Sequence, residues 1–158
     1  MRIGFVVNPI AGMGGRVGLK GTDGKVEEAR RRGAEPRAPD RARRALDALR
    51  DRVGSDETNG SDADLELLTW GGEMGTDAAR AAGFDPTVLG SPDNGDTTTA
   101  DTERAVAAFL AAEVDLVVFV GGDGTAGDVA AAVEGTETPI LGVPAGVKVY
   151  SSVFAVSP

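Results

Sequence analysis

The chain has 158 residues and a formal net charge of −9, from 16 basic and 25 acidic side chains. This length predicts one compact domain, since domains commonly contain about 150 residues. The acidic balance argues against a nucleic-acid partner, because an acidic protein repels a phosphate backbone. The sequence has no Cys and no His, which excludes disulfides, thiolate zinc sites and His-dependent catalytic triads. Any chemistry therefore depends on carboxylates, Lys, Arg, hydroxyls and backbone amides.

No membrane segment is visible in the sequence. No apolar run approaches the roughly 18 residues that cross a bilayer. The first residues, MRIGFVV, resemble a strand and lack the charged and cleavable pattern of a signal peptide. We expect a cytoplasmic protein that does not bind membranes.

The first half of the chain alternates strand-like and helix-like segments. A short β-rich run predicts a buried strand over Ile3–Val7 that ends at Asn8 and Pro9, where proline removes a hydrogen-bond donor. A glycine-rich segment, 12–24, follows without apolar periodicity, which is typical of a long loop. The further predictions are a helix capped by Thr22 or Asp23 and ending at Arg32, a second helix that begins near Pro39, and a strand over Leu65–Trp70.

The second half continues the alternation. A short helix is predicted from Thr76 or Asp77, and the strongest strand signal is the apolar run Leu116–Val120, which predicts burial on both faces. The remaining predictions are a weak strand over Thr87–Leu89, a helix over Thr102–Ala112, a helix that follows Thr125 and runs to about Val133, a strand over Ile140–Val143, and the start of a last helix within Tyr150–Val156.

This alternation predicts an α/β fold, a Rossmann-like three-layer domain with a mostly parallel sheet of about five to six strands. Ligands of such sheets bind outside the carboxyl ends of the strands. Glycine-rich or Pro-Gly segments follow four of the predicted strands, at 12–24, 71–75, 121–124 and 144–146. One edge of the sheet is therefore predicted to let its backbone approach a ligand closely.

Glycines between a strand and a helix expose N–H groups at the positive end of the helix dipole, which favours phosphate. The chain has only three lysines. Lys20 lies in the first glycine-rich segment beside Arg16, and Lys148 follows the last one. These positions predict that both lysines contact phosphate.

Two known nucleotide-binding motifs can be compared with the sequence. Residues 122–127, GDGTAG, fit the dinucleotide pattern G-x-G-x-x-G, but they follow the fourth predicted strand rather than the first. No acid occurs in residues 138–158, where the ribose-binding acid of that pattern would lie. A hydride-transfer Rossmann domain is therefore disfavoured, and the P-loop pattern is absent.

The pentapeptide GGDGT at 121–125 places a carboxylate, Asp123, among glycines suited to phosphate. Such a carboxylate can accept a proton from an attacking hydroxyl, hydrogen-bond that hydroxyl, or position a magnesium ion. Thr125 can cap the following helix or bond a phosphate. A purely local Asx turn at Asp123 is the structural alternative, and Glu73 within WGGEMG at 70–75 is a second candidate acid.

These residues resemble a known family. GGDGT after an apolar strand is similar to the hallmark of the NAD kinase, diacylglycerol kinase and 6-phosphofructokinase superfamily. Three longer stretches, NPIAGMGGRVGLKGTDG at 8–24, WGGEMG at 70–75 and GVPAGVKVYSSVFAVSP at 142–158, resemble the ATP-NAD kinase branch that includes the AcoX-like proteins. The resemblance covers nearly all of the chain.

The resemblance implies a phosphotransferase that moves the γ-phosphoryl group of ATP, with Mg²⁺ bound to the nucleotide, onto the 2′-hydroxyl of NAD to give NADP. Asp123 would contact or deprotonate the acceptor hydroxyl. The nucleotide- and phosphate-binding residues implied are Asn8, Gly12, Gly14, Gly15, Lys20, Asp23, Glu73, Gly121, Gly122, Gly124, Thr125 and Lys148. We expect small-molecule nucleotides as partners and a homo-oligomer.

Two departures from the family leave alternatives open. NAD kinases carry an Asn-Thr loop and an Asn-Glu or Asn-Asp pair, whereas the corresponding place here is PAGVK at 144–148. Family members also continue into a β-rich second domain, so residues 1–158 are expected to be an N-terminal domain that supplies half of a cleft, and its activity is expected to need a partner or to be absent. The alternatives are a nucleotide-binding module without catalysis, or a superfamily kinase for a lipid or another small acceptor.

Overall fold

The computed structural model describes residues 1–19, 24–55, 65–93, 97–146 and 149–155. Those residues form five strands, β1 (Arg2–Val7), β2 (Glu66–Trp70), β3 (Thr87–Gly90), β4 (Leu116–Gly121) and β5 (Ile140–Pro144). They also form six α-helices, α1 (Met13–Arg16), α2 (Val26–Arg31), α3 (Ala38–Ser55), α4 (Thr76–Ala81), α5 (Thr99–Ala111) and α6 (Asp123–Ala132). A 3₁₀ turn over Gly72–Met74 precedes α4.

The strands make one sheet in the order β3-β2-β1-β4-β5, and every pairing is parallel. Parallel neighbours need crossover connections, which the helices between the strands provide. The predicted α/β fold with a parallel sheet of five to six strands is confirmed. A single parallel bridge between Gly142 and Phe154 adds a short sixth segment beside β5.

Two apolar layers pack on opposite faces of the sheet because successive side chains of a strand alternate between its faces. Phe5 belongs to the layer with α3 and α4, whereas Val6 belongs to the layer with α5 and α6. Both side chains are 1% exposed. The molecule therefore has three layers, helix, sheet and helix.

A glycine in the central strand lets α5 approach the sheet. A Cβ built on Gly4 would lie 2.6 Å from Cγ of Phe109, and the Phe109 ring is completely buried. The absent side chain at Gly4 is the space that Phe109 fills. Any larger residue at this position would move α5 away from β1.

Strand β4 is less buried than the sequence predicts. Val117, Phe119 and Val120 are fully buried, but Leu116 and Val118 are only half-buried. Both half-buried side chains line an apolar groove between α3 and the sheet. Burial on both faces was therefore wrong for Leu116 and Val118, since α3 covers only part of this face.

Three further predicted elements differ from those in the structure. Residues 13–16 of the glycine-rich segment form the single helical turn α1 rather than continuous loop. Helix α2 begins after Lys25, and the predicted caps Thr22 and Asp23 lie outside the described residues. The last predicted helix is wrong over its described part, because residues 150–155 form turns and the bridge to β5.

The strand order creates a topological switch point, which is the place between β1 and β4 where successive strands change from one side of β1 to the other. From β1 the chain goes outward through β2 to β3, then returns to the other side of β1 as β4 and continues to β5. The loops after β1 and β4 therefore lead to opposite faces of the sheet. Open parallel sheets bind ligands at the carboxyl edge where such loops diverge.

Candidate functional site

Asn8 connects the loop after β1 to the start of α6. Its side-chain Nδ2 donates to Oγ1 of Thr125 at 3.0 Å, and its Oδ1 accepts from the backbone N–H of Ile10 at 3.3 Å. Its own backbone N–H donates to the carbonyl of Val120 at 2.9 Å. Asn8 therefore holds the two loops of the switch point together.

A third loop, after β5, packs on the same cluster. The backbone N–H of Ala145 donates to the carbonyl of Gly121 at 2.8 Å. Gly12 has a φ of +79°, and a Cβ built there would lie 2.2 Å from the carbonyl oxygen of Ala145. Only glycine fits this contact, because any other residue would have both an unfavourable φ and a steric clash.

The GGDGT pentapeptide spans the turn from β4 into α6. Gly121 is buried, and a Cβ built on it would lie 2.4 Å from Cβ of Thr125. Thr125 is 5% exposed and lies inside the first turn of α6. The N-cap position belongs instead to Gly122, so the predicted cap at Thr125 is wrong: its hydroxyl faces Asn8.

The other two glycines of the motif face open space. A Cβ built on Gly122 or Gly124 would meet no atom within 4 Å. Gly122 has no side chain to cap the helix, so the first N–H groups of the ten-residue helix α6 have no side-chain cap. A phosphate can approach this backbone without displacing a side chain, and the helix dipole favours its charge.

The Asp123 carboxylate is held by backbone amides. Its Oδ1 accepts from the N–H groups of Tyr150 and Ser151, each at 3.0 Å, and its Oδ2 accepts from the N–H of Tyr150 at 3.1 Å. These contacts link residues 27 and 28 positions apart, so the local Asx turn does not account for Asp123. Tyr150 and Ser151 were not among the predicted site residues, because a role of backbone N–H groups leaves no mark on side-chain identity.

The remaining predicted residues lie in different places. Gly14 and Gly15 are part of α1, with Gly14 buried and Gly15 exposed. Glu73 is exposed in the 3₁₀ turn after β2, and across the described ranges it makes no hydrogen bond or ion pair with the loops after β1 and β4. Lys20, Asp23 and Lys148 lie outside the described residues. The structure thus brings together Asn8, Gly12 and residues 121–125.

The fold and this edge define a class of protein, an α/β protein whose glycine-rich loops present backbone N–H groups and one carboxylate at the switch point. The model of the ATP-NAD kinase N-terminal domain family matches residues 3–158. The chain belongs to this family, which is a kinase family that uses ATP and NAD. Membership supports a kinase-like, nucleotide-binding function with small-molecule partners.

Searches of curated proteins and of solved structures find no match to the chain. Within the described part, no helix has both the length and the apolar character that crossing a membrane requires.

Proposed function

We propose that the protein takes part in transferring the γ-phosphoryl group of ATP to the 2′-hydroxyl of the adenosine ribose of NAD, which gives NADP. The observation that carries the proposal is the geometry of residues 121–125: an open backbone at Gly122 and Gly124 at the start of α6, with Asp123 between them. Family membership supports the donor and the acceptor.

In the proposed reaction, a bond forms between the 2′-oxygen of NAD and the γ-phosphorus as the bond from that phosphorus to the β,γ-bridging oxygen breaks, and ADP leaves. Asp123 accepts the hydroxyl proton or orients the hydroxyl. The backbone of Gly122 and Gly124 would bind phosphate oxygens, whereas Gly121, Thr125 and Asn8 keep the loops in position. The roles of Gly14, Gly15, Lys20, Asp23, Glu73 and Lys148 are further parts of the proposal.

Magnesium fits this set of donors. Mg²⁺ is commonly bound by one or two carboxylates together with substrate phosphates and water, and Asp123 supplies one carboxylate at the start of α6. Among the described residues, no group of three or more acidic side chains converges on one point. Bound with ATP, the ion would neutralise phosphate charge, while the protein contributes Asp123 and backbone N–H groups.

The test is NADP formation from NAD, ATP and Mg²⁺ by the native protein, with polyphosphate as an alternative donor and lipid and sugar-phosphate acceptors assayed in parallel. Asp123→Ala should reduce the rate by about 10²- to 10⁴-fold, the usual contribution of a positioned acid or base. The matched control is Asp77→Ala, which removes an exposed carboxylate from the first turn of α4. A wild-type rate from Asp123→Ala would contradict the proposed role, and transfer to another acceptor would contradict the choice of NAD.

One observation favours a second candidate, a module that binds nucleotides without catalysis. Both oxygens of Asp123 accept backbone hydrogen bonds, Oδ1 from Tyr150 and Ser151 and Oδ2 from Tyr150, so the protein itself engages the carboxylate. Calorimetric binding of ATP or NAD, with no transfer to any acceptor, would support this candidate.

A further inference from the structure

Residues 149–155, called the strap below, run from the start of α6 to the edge of β5. At its beginning the strap is held by the Asp123 carboxylate. At its end Gly142 donates to the carbonyl of Val153 and accepts from the N–H of Ala155, both at 2.8 Å. The Phe154 ring packs edge-on against Phe119, with 5.5 Å between ring centroids.

The two ends of the strap are held by different forces. Phe154 is half-buried and occupies the space left by the missing side chain of Gly142, where a Cβ would lie 2.6 Å from its ring. Tyr150, in contrast, is 83% exposed. Release of Asp123 would therefore expose little additional surface of Tyr150, while Phe154 keeps the end of the strap on the sheet.

The beginning of the strap has the geometry of an anion site. Two consecutive backbone N–H groups, those of Tyr150 and Ser151, point at the same carboxylate oxygen at 3.0 Å. Concave pairs of successive N–H groups of this kind bind anions, phosphate among them. The anion that occupies the pair is the protein's own Asp123.

We propose that the N–H groups of Tyr150 and Ser151 form a phosphate-binding site, and that Asp123 occupies it until a phosphate group displaces the carboxylate. The exchange keeps the N–H groups paired with a negative oxygen before and after binding. It also frees the lone pairs that Asp123 shares with these N–H groups for contact with a hydroxyl or a metal ion. The inference deepens the proposed function, on which it rests for the source of the phosphate, but the anion site itself is testable without turnover.

The probe is inorganic phosphate in metal-free buffer, followed at the amide resonances of the native protein. Phosphate should shift the Tyr150 and Ser151 resonances. Asp123→Asn should raise phosphate affinity about tenfold, because it removes the competing carboxylate and its charge-assisted hydrogen bonds. In the absence of phosphate, the same variant should speed hydrogen exchange of these two amides about tenfold or more.

Two matched variants separate competition from general charge effects. Asp77→Asn removes one charge from another helix start at the same edge of the sheet and should change phosphate affinity less than twofold. Tyr150→Pro removes one of the two N–H groups while keeping Asp123, and it should weaken phosphate binding about tenfold. The fluorescence of Trp70, the single tryptophan, reports whether each variant remains folded.

Weaker or unchanged phosphate binding in Asp123→Asn would overturn the proposal, as would Tyr150 and Ser151 resonances that do not move with phosphate. In a second experiment, ATP is titrated in place of inorganic phosphate and the same amide resonances are followed. If ATP shifts residues 122–125 but neither strap amide, the anion site is wrong and the proposed function stands. If phosphate shifts the strap amides and NADP is never formed, the anion site stands and the proposed reaction is wrong.

Discussion

Gly121 and Gly122 are neighbours in the sequence with different surroundings in the structure. A side chain at Gly121 would collide with Thr125, whereas a side chain at Gly122 would meet no atom within 4 Å. The backbone φ of Gly122 is −112°, which other residues adopt readily. The fold therefore requires glycine at position 121, whereas position 122 could hold a larger residue without a clash.

This difference predicts that Gly122→Ala leaves the free energy of unfolding within about 0.5 kcal/mol of wild type, as for other substitutions without new contacts. If a phosphate approaches the Gly122 backbone, the added methyl group should nevertheless weaken ATP binding, by about tenfold or more. Chemical denaturation and calorimetry check the two effects separately.

Gly121→Ala is the comparison, and its clash with Thr125 should destabilise the protein by about 1–3 kcal/mol. Unchanged ATP binding by a stable Gly122→Ala protein would show that ligand does not approach this part of the backbone.

The sequence indicated the glycines and Asp123 as candidate site residues, but it did not indicate which groups they contact. The side chain of Asn8 bonds to Thr125 and to the backbone of Ile10, and its contact with phosphate stays a prediction. The partners of Asp123 could not be predicted, because its contact with residues 150 and 151 depends on how β4 and β5 lie beside each other.

Helix α5 begins with a polar cluster around one buried carboxylate, that of Asp101. Asp101, whose side chain is 5% exposed, accepts from the backbone N–H and the hydroxyl of Thr98 at 2.9 and 2.8 Å and pairs with Arg104. Burial opposes ionisation of this carboxyl, but the hydrogen bonds from Thr98 and the pairing with Arg104 outweigh it and hold the pKa of Asp101 below its usual range.

A lowered folded-state pKa gives a defined pH dependence. The unfolded carboxyl has a pKa of about 3.9, so the stabilisation from Asp101 is complete above that value. It is lost as pH falls from there through the lower folded pKa. Urea denaturation between about pH 6 and 3 should show this loss in the wild type.

Asp101→Asn is expected to be less stable at neutral pH and to show a flatter decline in acid, because the titrating group is gone. Its control is Glu103→Gln, an exposed acid on the same helix, which should follow the wild-type curve. An Asp101→Asn curve parallel to wild type would contradict the lowered pKa.

Element types followed from the sequence wherever apolar periodicity was strong. The helix within residues 150–156 was wrong for a reason that lies elsewhere in the chain: the N–H groups of Tyr150 and Ser151 bond to Asp123, and Phe154 packs at Gly142. The turn α1 was missed because Gly14 and Gly15 are poor helix formers.

The two edges of the sheet are built differently. At the amino edge, Arg2 bonds through its side chain to Glu66 and the carbonyl of Ala112, and through its backbone N–H to Asp115. At the carboxyl edge, Gly12 packs against the carbonyl of Ala145, and the N–H of Ala145 donates to the carbonyl of Gly121, which joins the loops. The strand order, which places β1 between β2 and β4, could not be read from the sequence, because pairing of distant strands is a property of the whole fold.

The central claim is that nucleotide phosphate binds at the carboxyl edge, at the start of α6. Its most direct test is line broadening of backbone amide resonances by Mn²⁺·ATP, in which Mn²⁺ replaces Mg²⁺ at the phosphates. We predict that residues 122–125 broaden first, followed by Asn8. Selective broadening at the amino edge, around Arg2 and Asp115, or uniform broadening over the whole protein, would contradict the claim.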